Sequence, residues 1–508
     1  MIDGNTPTPD AGSSCVLALD VGTSSARALL FDGQGNPVRD AHVQRAYPLT
    51  TNEQGEVSVD ADRLVDVVCE CIDGALAGAG ARANQIVAVA SDTFWHSLLA
   101  VDENGRPLTP VITWADTRAR EASIALRREL DPTAVYRRTG APLHTSYWPA
   151  RLRWLAATQP DILKRAASFI SFGEYLHRRL LGHSVCSLCM ASGTGLLATQ
   201  ARDWDHDLVR FLGIRPEQLP PLGDLGDAVR GLTPEYAARW QALRDVPWFP
   251  ALGDGAAANV GSGCGDERRV ALTVGTSSAV RVITAVQGAV PPDGLWLYLL
   301  DVQRAVLGGA LSEGGNLLAW LEHTVRITDL ASAEQDAARL SPDSHGLTML
   351  PFLAGERSLG WHGEARATIA GVSAHTTPAE IVRAALEALA YRIAIVHERL
   401  MTARDAHVAA IHGQPAGEVV GSGGSLLSSP LFQQIIADTL GVPLHPSRDT
   451  EASARGAALL ALEALGLIPN VAAITPRTDV PVQPDASRTA IYRKAMQRQE
   501  DLYRRLLS

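Results

Sequence analysis

One nine-residue stretch occurs twice in this chain of 508 residues, about half a chain apart. The first copy, ALDVGTSSA, begins at Ala18, and the second, ALTVGTSSA, begins at Ala271. The two copies differ at one position, where Thr273 stands in place of Asp20. In both, apolar runs flank the turn residues, which predicts a strand, a tight turn and a second strand. The duplication therefore predicts two domains of similar architecture, each opening on a β-hairpin.

Strands and helices alternate through both halves. In the first half the runs QIVAVASD and HSLLAVD predict strands, and apolar residues spaced by three or four after Thr117 predict helices. In the second half, LWLYLLD and RAVLGGAL predict further strands. The segment GEVVGSGGSLLSSPLFQQIIADTLG predicts a strand, a glycine loop and a helix capped by Ser429, with Pro430 in its first turn and Gly441 at its end. This order indicates the α/β class.

Composition excludes several classes of function. The net charge of −10 disfavours a nucleic-acid-binding surface, and no apolar run is long enough to span a membrane. Six cysteines without a framework-like spacing favour a reducing, cytoplasmic setting. Cys186 and Cys189 form a lone CxxC, for which apolar packing is favoured over a redox or metal role. The polar, Pro/Gly/Ser-rich residues 1–14 predict a disordered leader.

Lysine is nearly absent from the chain. The basic residues are arginines apart from Lys164 and Lys494, and neither lysine lies in a glycine-rich loop. A Walker A phosphate loop, a protein-kinase-type site and a pyridoxal Schiff base each need a lysine. All three are therefore disfavoured.

The repeated turn has the chemistry of a phosphate-binding loop. Glycine allows close approach of a ligand to the backbone, while threonine and serine supply hydroxyls and successive amide donors. One such turn is ordinary hairpin chemistry, but two matching copies predict a nucleotide's phosphates held between facing turns. The candidate phosphate-binding residues are Gly22, Thr23 and Ser24 in the first turn and Gly275, Thr276 and Ser277 in the second.

The single difference between the copies suggests a metal. Hydrated Mg²⁺ is positioned by few protein oxygens, and Asp20 could supply a carboxylate for it. A second carboxylate facing the first would add repulsion, whereas Thr273 is neutral and can donate to phosphate. The alternative is that Asp20 only caps the turn at the end of its strand.

Further motifs, in the same order along the chain, resemble the FGGY carbohydrate kinases, which share the actin and hexokinase ATPase fold. The segments that carry the resemblance, besides the two turns, are SDTFWHSLLAVDENGRPLTPVITWADTRA, MASGTGLL, PALGDGAAANVGSG, PFLAGERS, GSGGSLLSSPLFQQIIADTLGVPL and EASARGAALLA. The resemblance implies two actin-like (ribonuclease H-like) α/β domains, residues 15–255 and 256–508, around an interdomain nucleotide cleft. It also implies ATP and Mg²⁺ as cofactors, a small sugar or sugar acid as substrate, and allows a homodimer.

Asp254 is the candidate general base. The family places its catalytic aspartate in the segment that reads PALGDGAAANVG here, and a positioned carboxylate can take the proton of the attacking hydroxyl. Flanking glycines are expected to leave room for the substrate. The alternative, that Asp254 caps a helix beginning near Ala256, is compatible with the catalytic role.

The resemblance assigns the acceptor sugar to Trp95, His96, Asp116 and Arg118. Ketose kinases have Met-His-Gly where this chain has Trp95-His96-Ser97. A histidine and a carboxylate can bracket hydroxyls, and an indole can cover C–H groups. Alternatively, Trp95 is a core aromatic residue, and Asp116 and Arg118 form a surface pair.

Substrate identity is suggested by HSLLAVD and ITWADTR, which look more like gluconate kinases than xylulokinases. An anionic sugar would need a cation, and Arg118, Arg151 or Arg357 could supply a planar fork for its carboxylate. Gluconate is therefore expected, with a ketose (xylulose or ribulose) or a polyol as the alternative. Two other classes stay open: an actin-like ATPase without a sugar site, and a non-catalytic sugar sensor.

Adenosine is expected on the glycine loop of the second half. The bare backbone of Gly423 and Gly424, with Ser425, can carry the adenine ring, and the following helix N-terminus adds donors. Gly456 and the alanines around it predict close helix packing.

Overall fold

The structure is a computed structural model that describes residues 14–409 and 417–507. The predicted leader falls outside these residues except for Ser14, which is buried directly ahead of the first strand. Within the described ranges, no helix combines the length and the apolar character needed to cross a bilayer.

The first half contains fourteen strands and ten α-helices among the described residues. Its strands are β1 Cys15–Val21, β2 Ser25–Asp32, β3 Pro37–Ala46, β4 Thr50–Thr51, β5 Val57–Val59, β6 Ile86–Thr93, β7 Leu99–Val101, β8 Val111–Ile112, β9 Ser168–Ile170, β10 Cys186–Ser187, β11 Leu197–Ala198, β12 Asp203–Trp204, β13 Leu222–Gly223 and β14 Leu252–Gly253. Its helices are α1 Ala61–Ala79, α2 Arg120–Glu129, α3 Pro132–Thr139, α4 Trp148–Thr158, α5 Pro160–Arg165, α6 Phe172–Leu181, α7 Leu188–Gly193, α8 His206–Phe211, α9 Pro234–Arg239 and α10 Asp254–Gly261.

The second half has fewer strands and longer helices. Its strands are β15 Arg269–Val274, β16 Ser278–Ala285, β17 Trp296–Leu299, β18 Arg304–Leu311, β19 Thr348–Leu350, β20 Thr368–Ala370, β21 Glu418–Ser422 and β22 Leu444–Pro446. Its helices are α11 Gly315–His323, α12 Leu330–Arg339, α13 Pro378–Ala409, α14 Gly424–Leu427, α15 Pro430–Leu440, α16 Ala452–Ala464 and α17 Ala486–Leu507.

The main sheets of the two halves repeat one topology. The first has the order β14-β6-β1-β2-β3, with β1 antiparallel to β2, β2 antiparallel to β3, and β6 and β14 parallel to β1. The second has the order β22-β21-β15-β16-β18-β17, with the same sequence of parallel and antiparallel pairs through β18. The two GTSS turns therefore occupy equivalent positions, and the predicted pair of similar α/β domains is confirmed.

The two faces of the first sheet belong to different cores. Leu17 and Leu19 of β1 pack in a core with α1, whereas Val16 and Ala18 pack in a core that extends into the second half. Helix α16 of the second half covers this second face, packing on β1 and β6. Burial on both faces explains why β1 reads as a continuous apolar run.

Local sequence signals are confirmed where they concern caps and cysteines. The Ser429 hydroxyl accepts a hydrogen bond from the Phe432 amide (3.0 Å), and Gly441 ends α15 at a φ of 70°. Cys186 and Cys189 are buried free thiols, as are the other four cysteines. Cys186 and Cys189 both belong to the hydrophobic core, which is what the packing interpretation predicts.

Candidate active site

Both GTSS turns open onto one cleft between the halves, with a volume of about 530 Å³. Thr23 and Ser24 line it from the β1–β2 turn, and Gly275, Thr276 and Ser277 line it from the β15–β16 turn. Because the turns hold equivalent positions in two like sheets, their amides and hydroxyls are available to one ligand from two sides.

Each turn is tight and closed by its own backbone. The Gly22 amide donates to the Ser25 carbonyl, and the Gly275 amide donates to the Ser277 carbonyl, both at 3.0 Å. A Cβ added to Gly275 would meet nothing within 4 Å, so the turn's backbone borders open space. Bare backbone next to an open cleft is what close approach of a phosphate requires.

Glycines of the second half support the second turn from behind. The Gly275 carbonyl accepts from the Gly315 amide (2.7 Å) and from the Ser425 hydroxyl (3.1 Å). Gly423 has a φ of 93° and lies against the backbone of β15, while a Cβ on Gly424 would meet no atom within 4 Å. The glycine loop predicted to carry adenosine thus adjoins the second turn. Gly315 was not singled out from the sequence, although it belongs to a Gly-Gly pair.

Asp254 is the first residue of α10, with Gly253 as the N-cap, so the helix begins two residues before the predicted start near Ala256. Its carboxylate lines the cleft and accepts a hydrogen bond from the Gly255 amide (2.7 Å). Burial raises the pKa of Asp254 to about 6. A carboxylate with such a pKa is ionised at neutral pH and still basic enough to accept a proton.

The glycines beside Asp254 serve a different purpose from the expected one. A Cβ on Gly253 would lie 2.0 Å from the indole of Trp95, and a Cβ on Gly255 would lie 2.5 Å from it. The space is therefore filled by Trp95, which also donates from Nε1 to the Cys189 carbonyl (3.1 Å). The expectation that substrate fills this space is corrected: the glycines admit the indole, and Trp95 is both a core residue and part of the cleft lining.

A buried arginine faces Asp254 from the second half. Arg281 of β16 donates to the Asn259 side chain (3.2 Å) and to the Thr273 hydroxyl (3.1 Å), and lines the cleft. Its positive charge opposes the effect of burial on the pKa of Asp254. Thr273, the residue that stands in place of Asp20 in the second copy, therefore helps to orient the guanidinium of Arg281. Sequence reasoning missed Arg281, although an arginine inside the apolar run SAVRVITA is unusual.

His96 is held in one orientation at the cleft. Its φ is 68°, and its Nδ1 lies 2.5 Å from the Gly193 carbonyl, within the MASGTGLL segment. Burial, followed by the charge of Arg357, lowers the pKa of His96 to about 3. The ring is therefore neutral, Nδ1 donates to Gly193, and Nε2 remains an acceptor for a ligand hydroxyl.

Aromatic residues of the second half complete the wall around Trp95. Trp296 and Tyr298 of β17 stack with their ring centroids 4.2 Å apart, and Tyr298 meets Trp95 edge-on at 5.0 Å. The hydroxyls of Tyr298 and Tyr147 lie 2.5 Å apart. Such a surface suits the C–H face of a sugar. The sequence predicted only a strand at LWLYLLD, since its side-chain pattern does not tell which cavity the strand borders.

Asp116 and Arg118 bind each other beside the cleft. Arg118 donates to Asp116 from Nη2 (2.7 Å), and its Nη1 lies 3.3 Å from Glu56. The Asp116 carboxylate also accepts from the backbone amides of Val57 and Arg118. Neither residue is among the described residues that line the cleft. The predicted alternative of an ion pair describes their contacts, but Asp116 is buried and not on the surface, and the role of both residues in sugar binding stays a prediction.

The three arginines considered for an acidic substrate differ in what they already bind. Arg151 is buried and donates to the carbonyls of Thr145, His96 and Thr113. Arg357 lines the cleft, and its guanidinium lies 5.3 Å from the ring of Trp114. Across residues 14–409 and 417–507, the Arg357 side chain has no hydrogen bond or ion pair. It is the one of the three whose guanidinium is available to a ligand.

Carboxylates for a metal lie at the ends of neighbouring strands. Asp20 is buried near the end of β1 and accepts from Arg27 (2.7 Å), Asp92 lies beside it on β6, and Asp254 follows β14. Hard oxygen donors of this kind suit Mg²⁺. Asp92 was not singled out from the sequence, although it ends the run QIVAVASD.

A second group of possible metal ligands is already neutralised by arginines. Asp343, His345 and Glu387 lie close together, but Asp343 pairs with Arg498 (2.9 Å) and Glu387 pairs with Arg383 (2.5 Å). This cluster is an internal ion-pair network.

Comparison with known proteins identifies the chain's family. Residues 15–261 match the N-terminal domain of the FGGY family of carbohydrate kinases, and residues 270–465 match its C-terminal domain. A gluconokinase of Bacillus subtilis (strain 168) is 27% identical over 474 residues, covering 91% of this chain and 90% of that protein. A glycerol kinase of Leptothrix cholodnii (strain ATCC 51168 / LMG 8142 / SP-6) is 31% identical over 474 residues, covering 88% and 90%. The ligand-bound xylulose kinase structure of Lactobacillus acidophilus superposes with a TM-score of 0.88 at 26% identity, covering 97% and 99%. The chain belongs to the FGGY family of carbohydrate kinases.

Proposed function

We propose that this kinase transfers the γ-phosphoryl group of ATP to a hydroxyl of a sugar acid, with gluconate as the expected substrate. The observation that carries this proposal is Arg357, a cation in the cleft whose guanidinium lies over Trp114 and has no hydrogen bond or ion pair with another described residue. A planar guanidinium binds a carboxylate through two parallel hydrogen bonds. The gluconokinase of Bacillus subtilis, 27% identical, supports the same substrate class.

Asp254 acts as the general base in this proposal. It removes the proton of the attacking hydroxyl as the oxygen–phosphorus bond forms, and a pKa raised to about 6 suits that task near neutral pH. The GTSS turns bind the phosphates from two sides through their amides and hydroxyls, and Arg281 adds positive charge where the transferred group becomes negative. Mg²⁺, when bound near Asp20, neutralises charge on the phosphate oxygens.

Sugar recognition is assigned to the walls around Asp254. His96 accepts a hydroxyl through Nε2, while Trp95 and Tyr298 cover the C–H face of the chain. Arg357 holds the carboxylate at the other end. These contacts orient one sugar hydroxyl toward Asp254. Holding the reacting groups in this geometry lowers the barrier to phosphoryl transfer.

Product formation with a panel of acceptors tests the proposal. We expect ADP release to be fastest, by kcat/KM, with gluconate, and slower with xylulose, ribulose, glycerol and erythritol. A neutral ketose or polyol with the higher kcat/KM would reject the sugar acid and favour the alternative substrate class. Rapid ATP hydrolysis without any sugar would favour an actin-like ATPase instead.

The pH dependence of kcat/KM should report the ionisation of Asp254. Because burial raises the pKa of Asp254 to about 6, we expect kcat/KM to fall about tenfold per pH unit below that value, as the base becomes protonated. ADP formation measured by chromatography avoids pH effects on coupling enzymes. A rate that stays constant well below the pKa of Asp254 would contradict its role as the base.

Arg357→Gln should affect acidic and neutral acceptors differently. Loss of a charge-assisted hydrogen-bond pair, worth about 1.5–3 kcal/mol, should raise KM for gluconate roughly 10- to 100-fold. The KM for erythritol or glycerol should change little, because these acceptors have no carboxylate. Steady-state kinetics with both acceptor types give the comparison.

The matched control removes a positive charge at a residue that does not line the cleft. Arg106 is exposed in the turn after β7, so Arg106→Gln should leave the preference between gluconate and erythritol unchanged. Arg357→Lys retains the charge without the planar fork and should restore part of the affinity. Equal losses for acidic and neutral acceptors in Arg357→Gln would mean that Arg357 is a structural residue.

A further inference from the structure

Three ionisable side chains form a row across the first sheet. Asp20 on β1 lies directly opposite Arg27 on β2 and directly opposite Asp92 on β6. Residues in register on neighbouring strands project to the same face of a sheet. The row therefore carries two carboxylates and one guanidinium, and Asp254, after the adjoining strand β14, adds a third carboxylate nearby.

Asp92 is the unsatisfied member of this row. Its side chain is 0% exposed, and neither carboxylate oxygen accepts from a donor in the part of the chain that the structure describes. The polar side chain that it contacts is the Asp20 carboxylate, which is itself an acceptor unless a proton or a cation lies between the two. Arg27 forms no ion pair with Asp92, since this guanidinium is bound to Asp20 at 2.7 Å and lies 3.6 Å from Glu451. Buried carboxylates are normally hydrogen-bonded or paired with a cation, because an isolated buried charge is costly.

The surroundings of Asp92 carry an excess of negative charge. The positive neighbours are Arg27, paired with Asp20, and Arg281, whose charge acts on Asp254, so Asp20, Asp92 and Asp254 outnumber these guanidiniums three to two. Asp92 and its neighbouring carboxylates therefore have too little positive charge and too few hydrogen-bond donors around them. A bound divalent cation would supply the positive charge.

We propose that Asp92 is a second carboxylate of the divalent-cation site, holding Mg²⁺ together with Asp20. The inference rests on the proposed kinase function, which brings the cation to this cleft. It goes beyond the assignment of Asp20 alone, and it stands on a fully buried carboxylate that lies in register with Asp20 and, among the described residues, accepts from no donor. Oxygen donors from adjacent strands are the ligand type that Mg²⁺ uses.

Mn²⁺ binding to the full-length protein, followed by electron paramagnetic resonance, tests the proposal without relying on catalysis. We expect Asp92→Asn to weaken Mn²⁺ binding roughly 10- to 100-fold, the range for lost metal-supporting carboxylates. The rise in Tm that MgCl₂ produces in the wild type should shrink correspondingly. Without metal, Asp92→Asn should be at least as stable as the wild type, because it removes a buried, uncompensated acid.

Two further variants keep the test decisive. Asp102→Asn makes the same chemical change at an exposed turn that caps its own backbone, and it should bind Mn²⁺ like the wild type. Asp92→Ser removes the carboxylate with a smaller side chain, should Asp92→Asn fail to fold. Wild-type Mn²⁺ affinity in a folded Asp92 variant would overturn the proposal and make Asp92 a neutral, structural partner of Asp20.

Failure of this inference is distinguishable from failure of the proposed function. If gluconate is phosphorylated but folded Asp92 variants bind Mn²⁺ normally, the kinase assignment stands and the two-carboxylate site is rejected. If no sugar is phosphorylated but Mn²⁺ binding depends on both Asp20 and Asp92, the cation site is supported and the proposed function is rejected.

Discussion

Asp254→Asn should lower kcat roughly 10²- to 10⁴-fold, the contribution of a positioned general base. The asparagine keeps the size of the side chain and can still accept from the Gly255 amide, the contact that fixes the carboxylate at the start of α10. It cannot take a proton from the sugar hydroxyl. The measurement is kcat with saturating gluconate and ATP, and a variant retaining more than about a tenth of the wild-type rate would reject Asp254 as the base.

Thermal unfolding separates a chemical defect in Asp254→Asn from a structural one. The pKa of Asp254 is raised in the folded protein to about 6, above the ordinary value of 3.8, so its stabilising contribution is complete at low pH and is lost as pH rises through 6. The asparagine variant avoids this loss. Without ligands it should therefore have the higher Tm at pH well above 6, and the difference should vanish at pH below the ordinary value. A lower Tm throughout would indicate damage to the fold.

The fold was predictable because its signals are local and repeated. A turn of fixed composition between two apolar runs defines a hairpin, and its second occurrence defines a second sheet of the same kind. The caps of α15 at Ser429 and Gly441 likewise depend on adjacent residues. What the residues alone do not reveal is how the halves share a core, since α16 packs on β1 and β6 from the far end of the chain.

The candidate site was predictable only in part, for the same reason. The two turns, Asp254 and His96 lie in recognisable motifs and line one cleft. Tyr298 and Arg281 reach that cleft from strands of the second half, and nothing in their local sequence states which cavity they border. Tertiary contacts also decide which arginine is available to bind a substrate carboxylate. Arg151 already donates its hydrogen bonds to backbone carbonyls that the fold brings close to it.

Close packing of α10 on α16 joins catalysis to domain assembly. A Cβ on Gly456 of α16 would lie 1.8 Å from the Ala257 carbonyl oxygen, and a Cβ on Gly261 of α10 would lie 1.8 Å from the Ala452 carbonyl oxygen. The helices therefore touch backbone to backbone, as the glycine and alanines around Gly456 predicted. Because α10 begins with Asp254, the position of the base depends on this contact.

Gly456→Ala should both destabilise the protein and impair catalysis. One methyl group must force the two helices apart, an overpacking that costs about 1–3 kcal/mol or more, against a gain of up to about 1 kcal/mol in helix propensity. A displacement of Asp254 by about 1 Å costs roughly 10²-fold in rate, so we expect kcat to fall on that order in the fraction that remains folded. Denaturant unfolding and steady-state kinetics measure the two effects.

Gly226→Ala is the control for the change from glycine to alanine itself. Gly226 is exposed, and a Cβ added there would meet nothing within 4 Å, so its stability and kcat should match the wild type within error. If Gly456→Ala loses stability but retains kcat, the contact between α10 and α16 supports folding without positioning Asp254. If both properties are unchanged, the helices can separate freely at this crossing, and the contact sets neither stability nor the geometry of the base.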